Sequence, residues 1–236
     1  MGKLFNLDSP ILKVLGTLAD LCLLNILTLI GCIPIVTAGA SLTAMHYVML
    51  KMVRNQEGYI WKDFWKSFKE NFRQATCIWI ILLAFIAFFL IDCYIFKGLI
   101  ENISLPLLAI AGAFALFLYM IYLYVFPLLS HFHNTVLGTI KNAFFVGIMT
   151  FPKTILMMIV TALPLVLLYQ YTQIFPLVAM YGFTGPAYFC AWLYSGTFKK
   201  LEPKAIESAG EGEQEEAGIT PDETNGAMEN DSNVTE

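Results

Sequence analysis

The sequence predicts an all-α integral membrane protein with about five transmembrane helices, a helix break after the first span, a cytoplasmic amphipathic helix and a disordered acidic C-terminal tail. Hydrophobic residues make up 58% of the 236 residues and charged residues only 14%, against roughly 45–50% and about 25% in soluble domains. The apolar residues also gather in uncharged runs, such as 77–91 and 105–126. These runs approach or exceed the ~18 to 20 residues that a helix needs to cross a bilayer.

Five apolar segments are the predicted spans: 13–36, 75–96, 105–127, 154–172 and 177–198. Because proline removes a backbone donor, helices are predicted to bend or end at four prolines within or at the ends of these spans: Pro34, Pro127, Pro164 and Pro186. Lys and Arg set the orientation of membrane proteins. With five spans, eleven of the 14 Lys and Arg residues fall on one side, which places the C-terminus in the cytoplasm and the N-terminus outside.

The stretch "IGCIPIVTAGASLTAMHYVML" interrupts the first apolar segment at Pro34. Thr37 and Ser41 are predicted to cap a new helix there, while Gly39 allows a neighbouring backbone to approach closely. Two interpretations remain open. The break is either a tight turn packed against other helices or a ligand site, where a fresh helix N-terminus holds an anion. Residues 38–53 give only about 24 Å of helix, which fits a half-helix or re-entrant element better than a full span.

Asp20 and Asp92 are the only acidic residues inside the predicted spans, and both are expected at a similar depth below the outer surface. Charged groups in a membrane often mark function. In one interpretation they form an intramembrane polar site with Asn25 that lines a water-filled cavity. In the other they have a structural role, and bond to Asn25 or to one of three tyrosines: Tyr94, Tyr122 and Tyr124.

Aromatic residues recur at intervals of three and four in "NQEGYIWKDFWKSFKENFRQ", so they share one face of a helix with basic residues over the rest. Such a basic amphipathic helix is expected to lie in the cytoplasmic headgroup plane. It either rests on the membrane or docks a partner protein, and a polar edge of Asp63, Ser67 and Asn71 favours docking. The face consists of Trp61, Phe64, Trp65, Phe68 and Phe72.

No motif in the chain completes an enzyme, because phosphate-binding glycine loops, H-E-x-x-H and G-x-S-x-G are all missing. The five cysteines stand singly in apolar runs and give no zinc-site spacing. We therefore expect no catalysis, no cofactor, no metal and no nucleic acid. The organisation predicted is a transmembrane domain over 1–200 and a cytoplasmic tail over 201–236, which holds eleven acids and one lysine and is too polar to fold.

The N-terminal third resembles the YesL-like family of small bacterial multi-pass membrane proteins, which is defined by sequence and has no known activity. The likeness extends over about residues 5–200. The matching pieces are Leu24-Asn25, Pro34-Ile35-Val36-Thr37, Gly39-Ala40, Tyr47, Lys51, Glu57-Gly58-Tyr59, Asp63-Phe64, Ser67-Phe68, Asn71-Phe72 and Phe126-Pro127-Leu128.

This resemblance implies the bacterial cytoplasmic membrane and a role linked to sugar uptake, since members are often encoded beside carbohydrate ABC-uptake systems. The function expected is that of an accessory or regulatory component, with the lipid bilayer and carbohydrate ABC transporter subunits as partners. The alternative is a small transporter or channel, with a site at the broken first helix and at the intramembrane Asp residues.

Overall fold

The structure, a computed structural model, describes residues 10–56, 58–99, 105–132, 134–171, 173 and 175–216. Within these residues the chain forms helices and no strands, as the sequence predicts. The helices are α1 (Pro10–Cys32), a 3₁₀ turn (Ile35–Thr37), α2 (Ala38–Val53), α3 (Ile60–Leu99), α4 (Leu105–His131), α5 (Val136–Met149), α6 (Phe151–Gln170), α7 (Phe175–Tyr181) and α8 (Thr184–Glu216).

Four of the described helices are long and apolar enough to cross a membrane: Leu12–Cys32, Ile60–Asp92, Ala109–His131 and Phe151–Gln170. They coincide with the first four predicted spans. Their number and composition indicate a multi-pass helical membrane protein. Such helices satisfy their own backbone hydrogen bonds, which is what the hydrocarbon requires.

The second span differs from the prediction, because the amphipathic segment and the span are a single helix. The 40-residue α3 runs from Ile60 to Leu99 without interruption. The expectation of a separate helix lying across the headgroup plane is therefore wrong. Residues 56–74 hold no proline and only one glycine, Gly58, which precedes the helix, so nothing in the sequence stops the helix before the apolar run begins.

The helix does not end at two of the prolines where a bend or an end is predicted, and a bend at these two positions stays a prediction. α4 continues past Pro127 to His131, and α6 continues past Pro164 to Gln170. A proline removes one backbone hydrogen bond from a helix. The helix can continue past it because the other backbone hydrogen bonds remain and neighbouring helices in the bundle hold it in place. Pro186 lies in the first turn of α8, where the missing N–H has no partner to lose.

The fifth predicted span, 177–198, is interrupted. α7 ends at Tyr181 and α8 begins at Thr184, so a two-residue break divides the apolar segment. A side chain at Gly182 would overlap the Val178 carbonyl, to which the Gly182 N–H donates at 2.7 Å. Glycine is therefore required where α7 ends.

The helix α8 does not end at Lys200 but runs on to Glu216. The predicted disorder is thus not seen in 201–216, where Glu, Ala, Gln and Lys are good helix formers, while 217–236 lie outside the described residues. Internal contacts divide the chain into two units, Met1–Leu193 and Tyr194–Glu236. The predicted domain boundary after residue 200 stays a prediction.

The core of the first unit forms around α2. Almost every side chain from Ala38 to Leu50 is buried, and α2 packs against α1, α3 and α4. Gly39 lies against Ala75 and Trp79, while Lys51 contacts Asp63. Because residue numbers rise along α2 as they fall along α3, the two helices are antiparallel.

Candidate functional site

The first helix break is closed by side chains of the protein itself. Ser41 Oγ donates to the Thr28 carbonyl at 2.8 Å, and Thr37 Oγ1 donates to the Gly31 carbonyl at 2.7 Å. Both carbonyls belong to the last two turns of α1, and that of Gly31 is one of the last four, which have no intrahelical partner. The chain can therefore stop α1 inside an apolar bundle without leaving these groups unpaired.

A third donor comes from α3. The indole Nε1 of Trp79 donates to the Ile35 carbonyl at 2.7 Å, which ties the 3₁₀ turn to the second span. Next to this bond, Gly39 allows α2 and α3 to touch. A Cβ built at Gly39 would lie 2.6 Å from the Ala75 oxygen and 2.6 Å from the Trp79 Cβ. The prediction of a close backbone approach at Gly39 agrees with this geometry.

The predicted capping roles of Thr37 and Ser41 are wrong. Thr37 occupies the N-cap position of α2, but its side chain accepts no hydrogen bond from the helix, and both hydroxyls donate backwards to α1. The first N–H groups are used as well, because Thr37 donates to the Pro34 carbonyl at 3.0 Å and Ala38 donates to Ile35. Internal acceptors thus occupy donors that an anion at this helix N-terminus would need.

The predicted intramembrane polar site is divided among different environments. Asp20 is exposed on α1, Asp92 is half-buried on α3, and Asn25 is fully buried. Asn25 Nδ2 donates to the Ala179 carbonyl on α7 at 2.7 Å. Tyr124, one predicted partner of the acids, instead bonds Thr150 and Thr154 at 2.9 and 3.0 Å. Asp20 and Asn25 therefore differ in burial, and a site or cavity that they share with Asp92 stays a prediction.

The aromatic residues of α3 divide into buried and exposed members. Phe64 is fully buried and its ring reaches the Gly31 position on α1, whereas Trp61 is 57% exposed. Trp65 and Phe68 are half-buried, and Phe72 lies at the surface. Phe64 is therefore a core residue, whereas Trp61 on the same predicted face is open to solvent or lipid.

The predicted polar edge points inwards rather than towards a partner. Ser67 is 1% exposed, and Asn71 Nδ2 donates to its carbonyl at 3.1 Å. Asp63 accepts from Lys51 Nζ at 2.8 Å, and a Cβ at Gly58 would overlap the Asp63 carboxylate. The Lys51–Asp63 pair therefore fastens the turn between α2 and α3, whereas the bond between Asn71 and Ser67 lies within α3.

The ion pair also sets the protonation behaviour of this turn. The hydrogen bond from Lys51 to Asp63 raises the pKa of Lys51 above its usual value, against a smaller lowering by burial. A lysine with a raised pKa contributes stability below its unfolded pKa and loses it as the pH rises through the folded value. The pair is therefore intact at neutral pH.

The outer side of α3 carries a shallow concave surface of about 600 Å³, which we call the α3 groove. Its lining alternates aromatic and basic residues at helical spacing: Trp61, Lys62, Trp65, Lys66 and Lys69. Trp61 contacts Trp65 edge-to-face, with ring centroids 5.9 Å apart. Arg73 extends the same spacing by one turn, so cations occupy the side of the helix that faces away from Phe64.

Residues 21–93 match the model of a family described as "Protein of unknown function, DUF624". This segment, which we call the DUF624 domain, is similar to that family. The match confirms the predicted resemblance to the YesL-like family over these residues, while the wider likeness over 5–200 stays a prediction. No curated protein and no solved structure matches the chain.

The DUF624 domain takes in the first helix break, α2, the Lys51–Asp63 turn and most of α3. Within this segment, the role of Trp79 was the hardest to predict. Trp79 lies in the uncharged run 77–91, where a tryptophan indicates only contact with lipid or with other helices. The one available signal was its polar indole N–H, since buried tryptophans usually find a hydrogen-bond acceptor. Among the described residues, no group of three His, Cys, Asp or Glu side chains is placed to hold a metal ion.

Proposed function

We propose that the protein is a non-catalytic accessory or regulatory subunit of the bacterial cytoplasmic membrane, which docks a partner through the α3 groove. The resemblance to the YesL-like family suggests that this partner belongs to a carbohydrate ABC-uptake system. The observation that carries the proposal is the exposed Trp61 beside the half-buried Trp65, which lie among three lysines on a helix whose other side is packed against the protein.

The length of α3 supports this proposal. At about 1.5 Å per residue, 40 residues extend roughly 60 Å, about twice the ~30 Å hydrocarbon core. If the uncharged run 77–91 lies in the hydrocarbon, the half of α3 that bears the groove projects beyond it. Large aromatic side chains left uncovered in water mark interaction surfaces, and tryptophan and arginine are frequent anchors at protein interfaces.

The packing of the groove supports docking as well. Phe64 and Ser67 fix the inner side of α3 against its neighbours, and the Lys51–Asp63 pair fastens its first turn. A partner therefore meets a surface that is already ordered, which lowers the entropy lost on binding. In our proposal this end of α3 and the C-terminus are cytoplasmic, because eleven of the 14 basic residues then lie inside and the α7–α8 segment forms the fifth crossing.

Site-specific photocrosslinking in cells tests the proposal. A photoreactive phenylalanine analogue at Trp65 should yield one defined protein adduct, which mass spectrometry identifies. The matched control carries the analogue at Gln74, an exposed residue on another side of the same helix, and should yield none. Equal adducts from both positions, or an adduct at Trp65 that persists after Lys62, Lys66 and Lys69 are changed to Gln, would refute docking through the groove.

A further inference from the structure

The break between α7 and α8 differs from the first break in how its polar groups are satisfied. At the first break three side chains donate to the carbonyls of the interrupted backbone. At the second break, within the part of the chain that the structure describes, one such bond is seen: Asn25 of α1 donates through Nδ2 to the Ala179 carbonyl, two residues before α7 ends. Asn25 is fully buried, so its amide lies entirely within the protein.

Two side-chain oxygens at this break have no partner. Asn25 Oδ1 is buried and accepts no hydrogen bond, although the Nδ2 of the same amide is engaged. Thr184, the first residue of α8, is also fully buried, and its Oγ1 has no partner. One oxygen comes from the side chain that contacts the end of α7, and the other from the residue at which α8 starts.

Buried oxygens of this kind cost free energy unless a ligand compensates them. The groups offered here are an amide oxygen and a hydroxyl oxygen beside the C-terminal end of α7, where helix carbonyls carry partial negative charge. All are neutral oxygens, and the acid on the same helix, Asp20, is exposed and apart from Asn25. Divalent ions favour carboxylate ligands, whereas discontinuous membrane helices use such neutral oxygens to hold monovalent cations.

We propose that the α7–α8 break binds a monovalent cation, Na⁺ or K⁺, with Asn25 Oδ1 and Thr184 Oγ1 as side-chain ligands. Asn25 has two roles in this arrangement: its nitrogen secures α7 and its oxygen faces the ion. The ion joins α1 to both helices of the interrupted segment, so its binding stabilises the folded bundle.

Thermal unfolding of the full-length protein in detergent tests the site. A ligand that binds only the folded state raises the unfolding temperature as its concentration rises. NaCl and KCl titrations are therefore compared with N-methyl-D-glucamine chloride at equal ionic strength, because the organic cation is too large to enter. We expect saturable stabilisation by at least one alkali cation, and the two titrations identify which.

Substitutions locate the effect at the break. Thr184→Val keeps the shape but removes the oxygen, and should weaken the apparent ion affinity by roughly tenfold or more, as expected for one interaction with a charged group. Thr184→Ser keeps the oxygen and should preserve the affinity. The matched control is Thr76→Val on α3, since Thr76 Oγ1 is likewise buried without a partner but lies within a continuous helix; it should leave the ion response unchanged.

A further variant keeps the test decisive if Thr184→Val unfolds. Asn25→Asp retains an oxygen and adds a negative charge, so its stability should depend more steeply on Na⁺ or K⁺ than that of the parent. Identical unfolding temperatures in all three chlorides would overturn the proposal and assign the oxygens to a buried water. An ion response that Thr76→Val abolishes and Thr184→Val retains would overturn it too.

Discussion

Replacing Gly39 with alanine should destabilise the protein, although alanine is the better helix former. The added Cβ would lie 2.6 Å from the Ala75 oxygen and 2.6 Å from the Trp79 Cβ, where ordinary contacts begin near 3.4 Å. The difference of about 0.8 Å must be met by moving α2 away from α3. Overpacking of this kind typically costs about 1–3 kcal/mol.

The movement would also strain the bond between Trp79 and the Ile35 carbonyl, which lies beside Gly39. Loss of one hydrogen bond adds about 1 kcal/mol. For a chain of this size, each kcal/mol lowers the unfolding temperature by about 2–4 °C. We therefore expect Gly39→Ala to unfold roughly 2–16 °C below the parent, the upper end applying if the Trp79 bond is lost as well.

The assay is thermal unfolding of purified protein in one detergent, followed by loss of the monodisperse peak. The matched control is Gly112→Ala in α4, because a Cβ there meets nothing within 4 Å. Removing a helical glycine without a clash should stabilise by about 0.5–1 kcal/mol. The reasoning is refuted if Gly39→Ala and Gly112→Ala shift the unfolding temperature in the same direction.

Three further predictions concern α3 and its turn. Phe64→Ala should lower the free energy of unfolding by about 3–5 kcal/mol, because the side chain is fully buried. Trp61→Ala should change it by less than about 0.5 kcal/mol. Equal losses of stability in thermal unfolding would contradict the division into core and exposed aromatics. A double-mutant cycle with Lys51→Met and Asp63→Asn should give a favourable coupling of roughly 0.2–1 kcal/mol, since both side chains are partly exposed. A coupling of zero would show that the pair does not fasten the turn. In a cysteine-free background, Lys69→Cys and Ser208→Cys should not react with a membrane-impermeant thiol reagent in intact cells, but should react in lysed cells. Labelling of either cysteine in intact cells would contradict the proposed cytoplasmic position of these residues.

Much of the fold follows from apolar run length, because lipid leaves helices few alternatives. The first four spans needed no more than this signal. Helix ends were harder to predict. The helices continue past Pro127 and Pro164, whereas Gly182 marks the interruption of the fifth predicted span. A proline affects one hydrogen bond, but the neighbouring helices decide whether the helix recovers, and that information is not local in the sequence.

The candidate sites show the same division between local and long-range information. The intervals of three and four correctly grouped the aromatic residues on one side of a helix. They could not separate Phe64, which packs inside, from Trp61, which is exposed, because that depends on where α2 and α1 lie. Asn25 was a candidate for its polarity within a span, but its contact with Ala179 joins residues 154 positions apart, which no periodicity reveals.

The two helix breaks serve different purposes, and their hydrogen bonds explain why. At the first break, Ser41, Thr37 and Trp79 donate hydrogen bonds to backbone carbonyls of the interrupted segment. These bonds hold α2 between α1 and α3, so the DUF624 domain supports the α3 groove from behind. The second break leaves Asn25 Oδ1 and Thr184 Oγ1 uncompensated, although a second donor such as those at the first break would have closed it. The polar groups of the first break are thus hydrogen-bonded, whereas two buried oxygens at the α7–α8 break have no hydrogen-bond partner. In our proposals an ion bound there stabilises the bundle without disturbing the α3 groove, which lies on another helix.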